Sequence, residues 1–360
     1  MLTKKRRQRH GQASPTLTDV ARHAGVSRAT VSRVLNDYPH VRPAVRQAVL
    51  AAKKALGYEV NYVAKSLASG KTKTIGLIVA DLLNPFYAET AKVIIEVARG
   101  RGYNVILCNS DYVPGLQMEH VDLLRQRQVD GIIFGSVSYD DPDVEKLVTS
   151  GYPCMLYNRR LRSGLGHYVV VDNAYATREV TQHLIALGHR RIGFIAGPQE
   201  ASTAQERLAG FNQAMEQAGL PVEPALIRQG YYKHESALRA AESLLRVSGR
   251  PTAIVAGNDQ MALSVLQIAG ELGIEVPQML AVVGIDGVDI GAHYNIQLTT
   301  VGHYKQEMAA LAATWMIEII QAPERFARQA FQHIIRPTLI IRRTCGAIAR
   351  PALQRRTQAS

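Results

Sequence analysis

Between residues 75 and 286 short apolar runs alternate with helical stretches, and this alternation restricts the fold more than any other feature of the chain. The runs fall at 75–80, 105–108, 131–134, 155–157, 168–172, 192–197, 253–256 and 281–286, with helical patterns such as 87–99, 174–187, 207–218 and 261–272 between them. Strands separated by helices in this way form parallel sheets covered on both faces, and ligands collect at the carboxyl ends of their strands. The expected fold class is therefore α/β, with a core of parallel sheets flanked by helices.

Polar and aromatic residues gather at those strand ends. Asn84, Phe86 and Tyr87 follow the first run, Asn158 and Arg159 follow CMLY, Asn258 and Asp259 follow AIVAG, and Asp286 follows VVGI. Arg207 is expected to open a helix soon after the IAG of 195–197, and Tyr232 follows Gly230. A carboxylate, amides, an arginine and flat rings can hold a polyhydroxylated ligand by bidentate hydrogen bonds and stacking. Each residue also has a plainer reading: Asn258 and Asp259 as helix caps, Tyr87 as core, Arg207 in a surface ion pair with Glu206 or a nearby acid. Arg159 and Arg160 suit an anionic sugar such as a sugar acid, or else lie on a solvated loop.

Ahead of this core, TLTDVARHAGVSRATVSRVLN at residues 16–36 spells two short helices and a tight turn. Leu17, Val20, Ala21 and Ala24 repeat at helical spacing, Thr16 with Asp19 makes a capping-box start, and Gly25 ends the helix. Ser27 caps the second helix. Its buried side is Val31, Val34 and Leu35, and Arg28, Ala29, Ser32 and Arg33 fall opposite. Such a face can enter a DNA major groove, although spacing alone also fits an ordinary helical hairpin. A third helix between Pro43 and Gly57, with Val45, Ala48, Val49, Ala52 and Leu56 facing inward, closes the core of this head.

Charge separates the two readings. Residues 1–73 hold fifteen Lys or Arg and three acids, a balance of +12 equal to that of the whole chain, so the remaining residues are neutral overall. A basic head on a neutral body is the footprint of a polyanion binder.

Other classes of function find no support. Cys108, Cys154 and Cys345 have no metal-ligand spacing and read as reduced thiols in a cytoplasmic protein. No apolar run approaches a membrane span of about 18 residues, so neither export nor membrane insertion is expected. Gly70-Lys71-Thr72 resembles the end of a phosphate-binding loop, but Lys65 stands where its first glycine belongs. His234-Glu235 is followed by Leu238 in place of the second zinc-binding histidine, and no GxSxG appears. No enzyme activity, cofactor or metal is expected.

LTDVARHAGVSRATVSRVLN, LGYEVNYVAKSLASGKTKTIGLIVADLLNPFY, RLAGF, NDQMAL and VVGID, in that order, resemble the lactose/galactose-repressor family of bacterial transcription regulators. The resemblance runs from about Thr16 to about Thr344. It implies an all-α helix-turn-helix head, a hinge helix, and a two-lobed effector-binding core like that of periplasmic sugar-binding proteins. The corresponding segments are a disordered basic arm at 1–15, the head at 16–59, a hinge and linker at 60–73, the core at 74–346 and a flexible tail at 347–360.

By the same resemblance Arg28, Ala29 and Arg33 match base-reading positions and Leu67 matches a leucine that wedges into the minor groove. Thr16, Ser27, Thr30, Ser32 and Asn36 complete the expected DNA contacts of the head, and Asn61, Ala64 and Lys65 those of the hinge. Arg207, Asp286, Asn258 and Tyr232 are the first-ranked effector contacts, followed by Phe86, Tyr87, Asn158 and Ser136. Val60 and Lys65 depart from the family's usual proline and arginine, and Asn158 from its aspartate. A transcription regulator is expected, most simply a repressor. It would bind near-palindromic double-stranded DNA as a homodimer and be controlled by a sugar, a sugar acid or a similar small molecule. The alternatives are an architectural DNA-binding protein without effector and a DNA-tethered α/β enzyme.

Overall fold

The structure, a computed structural model, describes residues 15–59, 70–113, 115–302, 304–326 and 329–347. The expected hinge, with Val60, Asn61, Ala64, Lys65 and Leu67, lies outside the described residues, as do nearly all of the expected arm and tail. Two compact units divide between Thr72 and Lys73.

The first unit grows from local capping. In α1 (Leu17–Ala24) the Thr16 hydroxyl accepts from the Asp19 amide at 3.3 Å, and the Asp19 carboxylate accepts from the Thr16 amide at 2.9 Å. Two of the helix's free amide ends are satisfied in this way. Gly25, at φ 65°, turns the chain out of the helix in a conformation that penalises any Cβ. Ser27 accepts from the Thr30 amide at 3.1 Å to start α2 (Arg28–Leu35), and Pro43 begins α3 (Pro43–Leu56). Val20, Ala21, Val31, Val34, Val49, Ala52 and Tyr58 form the core.

Ala48, expected to face inward, is exposed. At 100° per residue it lies about 70° from the centre of the stripe set by Val45, Val49, Ala52 and Leu56. The short partner helices do not reach that far around α3.

In the second unit, lobe 1 is a sheet in the order β11-β5-β4-β3-β1-β2, every neighbouring pair parallel. Its strands are β1 (Thr74–Val79), β2 (Asn104–Asn109), β3 (Gly131–Phe134), β4 (Cys154–Tyr157), β5 (Tyr168–Val171) and β11 (Gln332–Ile335). Its helices are α4 (Pro85–Gly100), α5 (Leu116–Gln126), α6 (Pro142–Thr149) and, from late in the chain, α11 (Lys305–Gln321). Although β1 is apolar from Ile75 onward, its two faces have separate partners. Ile75, Leu77 and Val79 share a core with Ile94 and Met316 of α4 and α11, while Ile78 packs with Leu124 and Val144 of α5 and α6.

Lobe 2 repeats the plan with the order β7-β6-β8-β9, again all parallel. It comprises α7 (Asn173–Ala186), β6 (Ile192–Ala196), α8 (Ser202–Gln217), β7 (Ile227–Gln229), α9 (His234–Leu245), β8 (Ala253–Ala256), α10 (Asp259–Glu271) and β9 (Ala281–Val283). Beside it β10 (Thr300–Gly302) and β12 (Thr338–Ile340) form an antiparallel pair.

Among the described residues the chain crosses between the lobes three times: after β5, after β10, and between β11 and β12. The expected strand at 281–286 stops at Val283, because Gly284 and Asp286 turn their amides to Thr299 and Val301 and Asp286 takes φ 126°. Cys108, Cys154 and Cys345 are buried free thiols. Among the described residues no helix is long and apolar enough to cross a membrane.

Candidate functional site

Two surfaces carry the chemistry. On the head, Arg28, Ala29 and Arg33 stand exposed on α2, opposite buried Val31 and Val34. Among the described residues neither Arg28 nor Arg33 has an ion-pair partner, whereas Arg22 pairs with Asp19 and Arg46 with Asp37. The remaining expected contacts frame this face and are tied to one another. Ser27 and Thr30 hydroxyls lie 2.9 Å apart, Asn36 Nδ2 donates to Ser32 Oγ at 3.3 Å, and Thr16 is held by Asp19. The arrangement presents two free guanidinium groups around a small residue on a capped helix.

The second surface is a cleft between the lobes. Asn84, Phe86, Tyr87, Tyr112 and Asn158 line it from lobe 1, and Thr203, Arg207, Tyr232, Asn258 and Asp286 from lobe 2. Of the eight expected effector contacts only Ser136 is missing. Its hydroxyl is drawn away by Gln117 Oε1, 2.8 Å distant.

Two liners went unforeseen. Tyr112 lies on the loop after β2, where no periodicity marks it, and packs against apolar cores of both lobes. Thr203 sits in the first turn of α8, a helix that begins at Ser202 rather than at Arg207. The apolar periodicity becomes readable only later in that helix, because Ser202, Thr203 and Gln205 carry polar side chains.

Arg207 is therefore a buried residue inside α8 rather than a partner of Glu206. Its Nη2 meets Asp286 Oδ1 at 3.0 Å, Nη1 donates to the Gly257 carbonyl at 2.5 Å, and Nε donates to Asn173 Oδ1 at 2.8 Å. Tyr304 donates its hydroxyl to the same Asp286 oxygen at 3.2 Å. Burial pushes the Asp286 carboxyl up against the pull of Arg207. Arg207, which keeps its proton in any protein environment, holds the carboxylate as counter-ion.

The Tyr232 ring lies over the end of β6, where a Cβ at Gly197 would stand 2.2 Å from its Cζ. Asn258 fits both of its readings: it caps α10 by accepting from the Met261 amide at 2.9 Å, and it lines the cleft. Tyr87 likewise belongs to the core and donates to the Gly135 carbonyl at 3.0 Å.

Across the mouth, Arg160 pairs with Glu206 at 2.8 Å and the Tyr139 amide donates to the Glu200 carbonyl at 2.6 Å. The cleft retains a free volume of about 10 Å³, about the room of a single water. A metabolite can be admitted only when these lobe-to-lobe contacts part.

Asp259, next to Asn258, supports the cleft from behind. Its Oδ1 accepts from the Thr300 hydroxyl at 2.5 Å and its Oδ2 from the Val288 amide at 2.8 Å. Burial, and then the nearby Asp286, raise its pKa from the usual 3.8 to about 7. Between those values the native protein holds a proton that the unfolded chain has released. The contribution is thus fully present below the unfolded value and falls as pH rises toward 7, at about 1.4 kcal/mol per pH unit. Asp259→Asn mimics the protonated form, with Nδ2 toward Thr300 and the amide oxygen toward Val288. It is expected to flatten the dependence of thermal unfolding on pH between 4 and 8; a variant that tracks the parent across that range contradicts the assignment.

Comparison with known proteins follows the same division of the chain. Residues 16–61 match the family described as "Bacterial regulatory proteins, lacI family", and residues 72–345 match "Periplasmic binding proteins and sugar binding domain of LacI family". The chain belongs to the LacI family of bacterial transcription regulators. LacI-family relatives are similar along nearly their full length. The catabolite control protein A of Priestia megaterium is 38% identical over 82% of this chain and 90% of that protein. The HTH-type transcriptional repressor PurR of Photobacterium profundum is 34% identical over 91% and 98%.

Among solved LacI-family structures, the Lac repressor dimer bound to operator and the anti-inducer ONPF superposes with a TM-score of 0.81 at 27% identity, covering 92% of this chain and 99% of that one. The complex of the transcriptional regulator CelR with cellobiose gives 0.69 at 32% identity, with the same coverage.

Proposed function

We propose that this LacI-family regulator is a repressor that reads a near-palindromic operator through α2 of two heads, and that a small polyhydroxylated metabolite held in the inter-lobe cleft sets its affinity for DNA. The observation that carries the reading is the cleft itself. A buried arginine–carboxylate pair, amides and aromatic rings converge from two lobes that three chain crossings allow to bend. An effector with unequal affinity for the open and closed arrangements shifts their balance, and its coupling to operator binding is reciprocal.

The homodimer is proposed to form through the cores. Leu82, Leu83, Ile95 and Leu107 make an exposed apolar patch on α4 and its neighbouring loop and strand, with Leu83 at 86% exposure. A two-fold pairing of this face covers it, and the structurally similar Lac repressor is a dimer. The reading is of a cytoplasmic regulator and not an enzyme.

Selection of operators from a random duplex library by the full-length protein tests the first half. An inverted repeat of two half-sites is expected, and recovery of single, unrepeated sites counts against the dimer. Fluorescence anisotropy on the selected operator, in the presence of individual sugars, sugar acids and polyols, tests the second. Affinity that no compound alters favours an architectural DNA-binding protein instead.

A further inference from the structure

Resting on the effector reading above, we propose that the ligand of this cleft bears an anionic group, a carboxylate or a phosphate, and that the Arg159 guanidinium receives it. The chain leaves β4 through Asn158, held at φ 67°, and turns Arg159 inward until only 3% of it is exposed. This excludes the solvated loop that its sequence neighbourhood allows.

The guanidinium lies 5.2 Å from the ring centre of cleft-lining Tyr112 and donates through Nη1 to the Ser136 carbonyl at 3.3 Å. Among the described residues Nε and Nη2 have no hydrogen-bond partner. These two nitrogens share one edge of the planar group, the edge that grips a carboxylate or phosphate with two parallel hydrogen bonds. Arg162, three residues on, uses the same edge on Asp140, with Nε at 2.6 Å and Nη2 at 2.8 Å from the two carboxylate oxygens.

The other arginines around the cleft are matched with acids: Arg160 with Glu206, Arg162 with Asp140, Arg207 with Asp286. Among the described residues Arg159 has no carboxylate within ion-pair distance. Asp286 is already engaged by Arg207, so it does not serve Arg159, whose guanidinium lies against the cleft-lining Tyr112.

Two further buried atoms, the Tyr112 hydroxyl and Asn158 Oδ1, lack a hydrogen-bond partner among the described residues. Burial holds the Tyr112 hydroxyl protonated well above its ordinary range, so it is a donor suited to an anionic oxygen. Asn158 Oδ1, an acceptor on a cleft-lining side chain, suits a ligand hydroxyl. The three groups together describe a hydroxylated molecule with an acidic end directed at lobe 1. Uncompensated burial of a guanidinium is unfavourable, and a counter-anion from the ligand removes that penalty.

The test uses the full-length protein, with thermal shift and calorimetric titration at constant ionic strength. Glucose, glucuronate, glucose 6-phosphate, galactose, galacturonate and inorganic phosphate are the probes. At least one anion is expected to bind tenfold or more tightly than its neutral parent, and the ranking of uronate against sugar phosphate identifies which anionic group is used. Arg159→Met is expected to lose that preference tenfold or more without weakening the neutral sugars. Arg159→Lys, which keeps the charge but not the two-nitrogen edge, falls between and serves if the Met variant does not fold.

A neutral sugar as the tightest ligand, indifferent to Arg159→Met, overturns the proposal and leaves the effector cleft standing. Arg159→Met that melts lower without ligand yet keeps its anion affinity assigns Arg159 a structural role and also overturns it. Silence from every probe, neutral and anionic, overturns the proposal together with the reading on which it rests.

Discussion

Asp286→Ala is expected to destabilise the two-lobed core by about 3–5 kcal/mol, measured by chemical denaturation of the full chain. The substitution leaves Arg207, itself 3% exposed, as a buried cation without counter-ion, and it takes an acceptor from Tyr304. The effect exceeds any gain expected from the ion pair itself, because removing one partner exposes the desolvation penalty of the other. Arg207→Met combined with Asp286→Leu is expected to lose less than the sum of the two single changes, since no charge is then stranded. The double variant still leaves Asn173 Oδ1 and the Gly257 carbonyl without a donor, so recovery is partial. A loss below about 1 kcal/mol for Asp286→Ala would mean that water reaches the pair. Asp286→Asn, which keeps an acceptor for Arg207, is the gentler variant for separating effector response from folding.

Arg28→Ala is expected to weaken specific operator binding by roughly 1–3 kcal/mol, with the loss confined to one base position of each half-site. Arg28 is the first residue of α2, exposed and without an ion-pair partner among the described residues, and at a helix N-terminus in a groove it stands nearest the base edges. Competition with single-substituted operators reads the effect. Equal weakening across all sequences, with a shallower dependence on salt, would move Arg28 to a phosphate contact.

Legibility in the sequence followed the range of the interactions. The head was readable because its determinants are local: Thr16 reaches Asp19, Ser27 reaches Thr30, and Gly25 and Gly57 end their helices within one turn. Strands β1, β3 to β6, β8 and β9 were readable because burial on both faces leaves an unbroken apolar run, and the half-exposed edge strand β2 because Val105 to Cys108 are apolar even where Leu107 meets solvent. The strands β7, β11 and β12 escaped because they lie at sheet edges, half wet, where Ile227-Arg-Gln and Gln332-His-Ile-Ile carry no such run.

In the cleft, residues at strand ends could be found from position alone. Tyr112, on an irregular loop, could not. Nor could sequence distinguish Arg159 from Arg160, adjacent and chemically identical. One turns into the protein and the other pairs with Glu206 across the cleft, and the difference is set by residues far away in the chain.

The threefold crossing between lobes also bears on how the protein is made. Strand β11 pairs with β5, Gln332 lying opposite Tyr168, and β12 pairs with β10. Each lobe therefore receives its final strand only from the last stretch of the described chain. Until that stretch leaves the ribosome, β5 and β10 present open edges at once, the kind of surface on which chains associate wrongly. A nonsense mutation or a proteolytic cut near residue 330 would then damage both halves of the molecule together. The core stands or falls as one inheritance, even though it is drawn as two lobes.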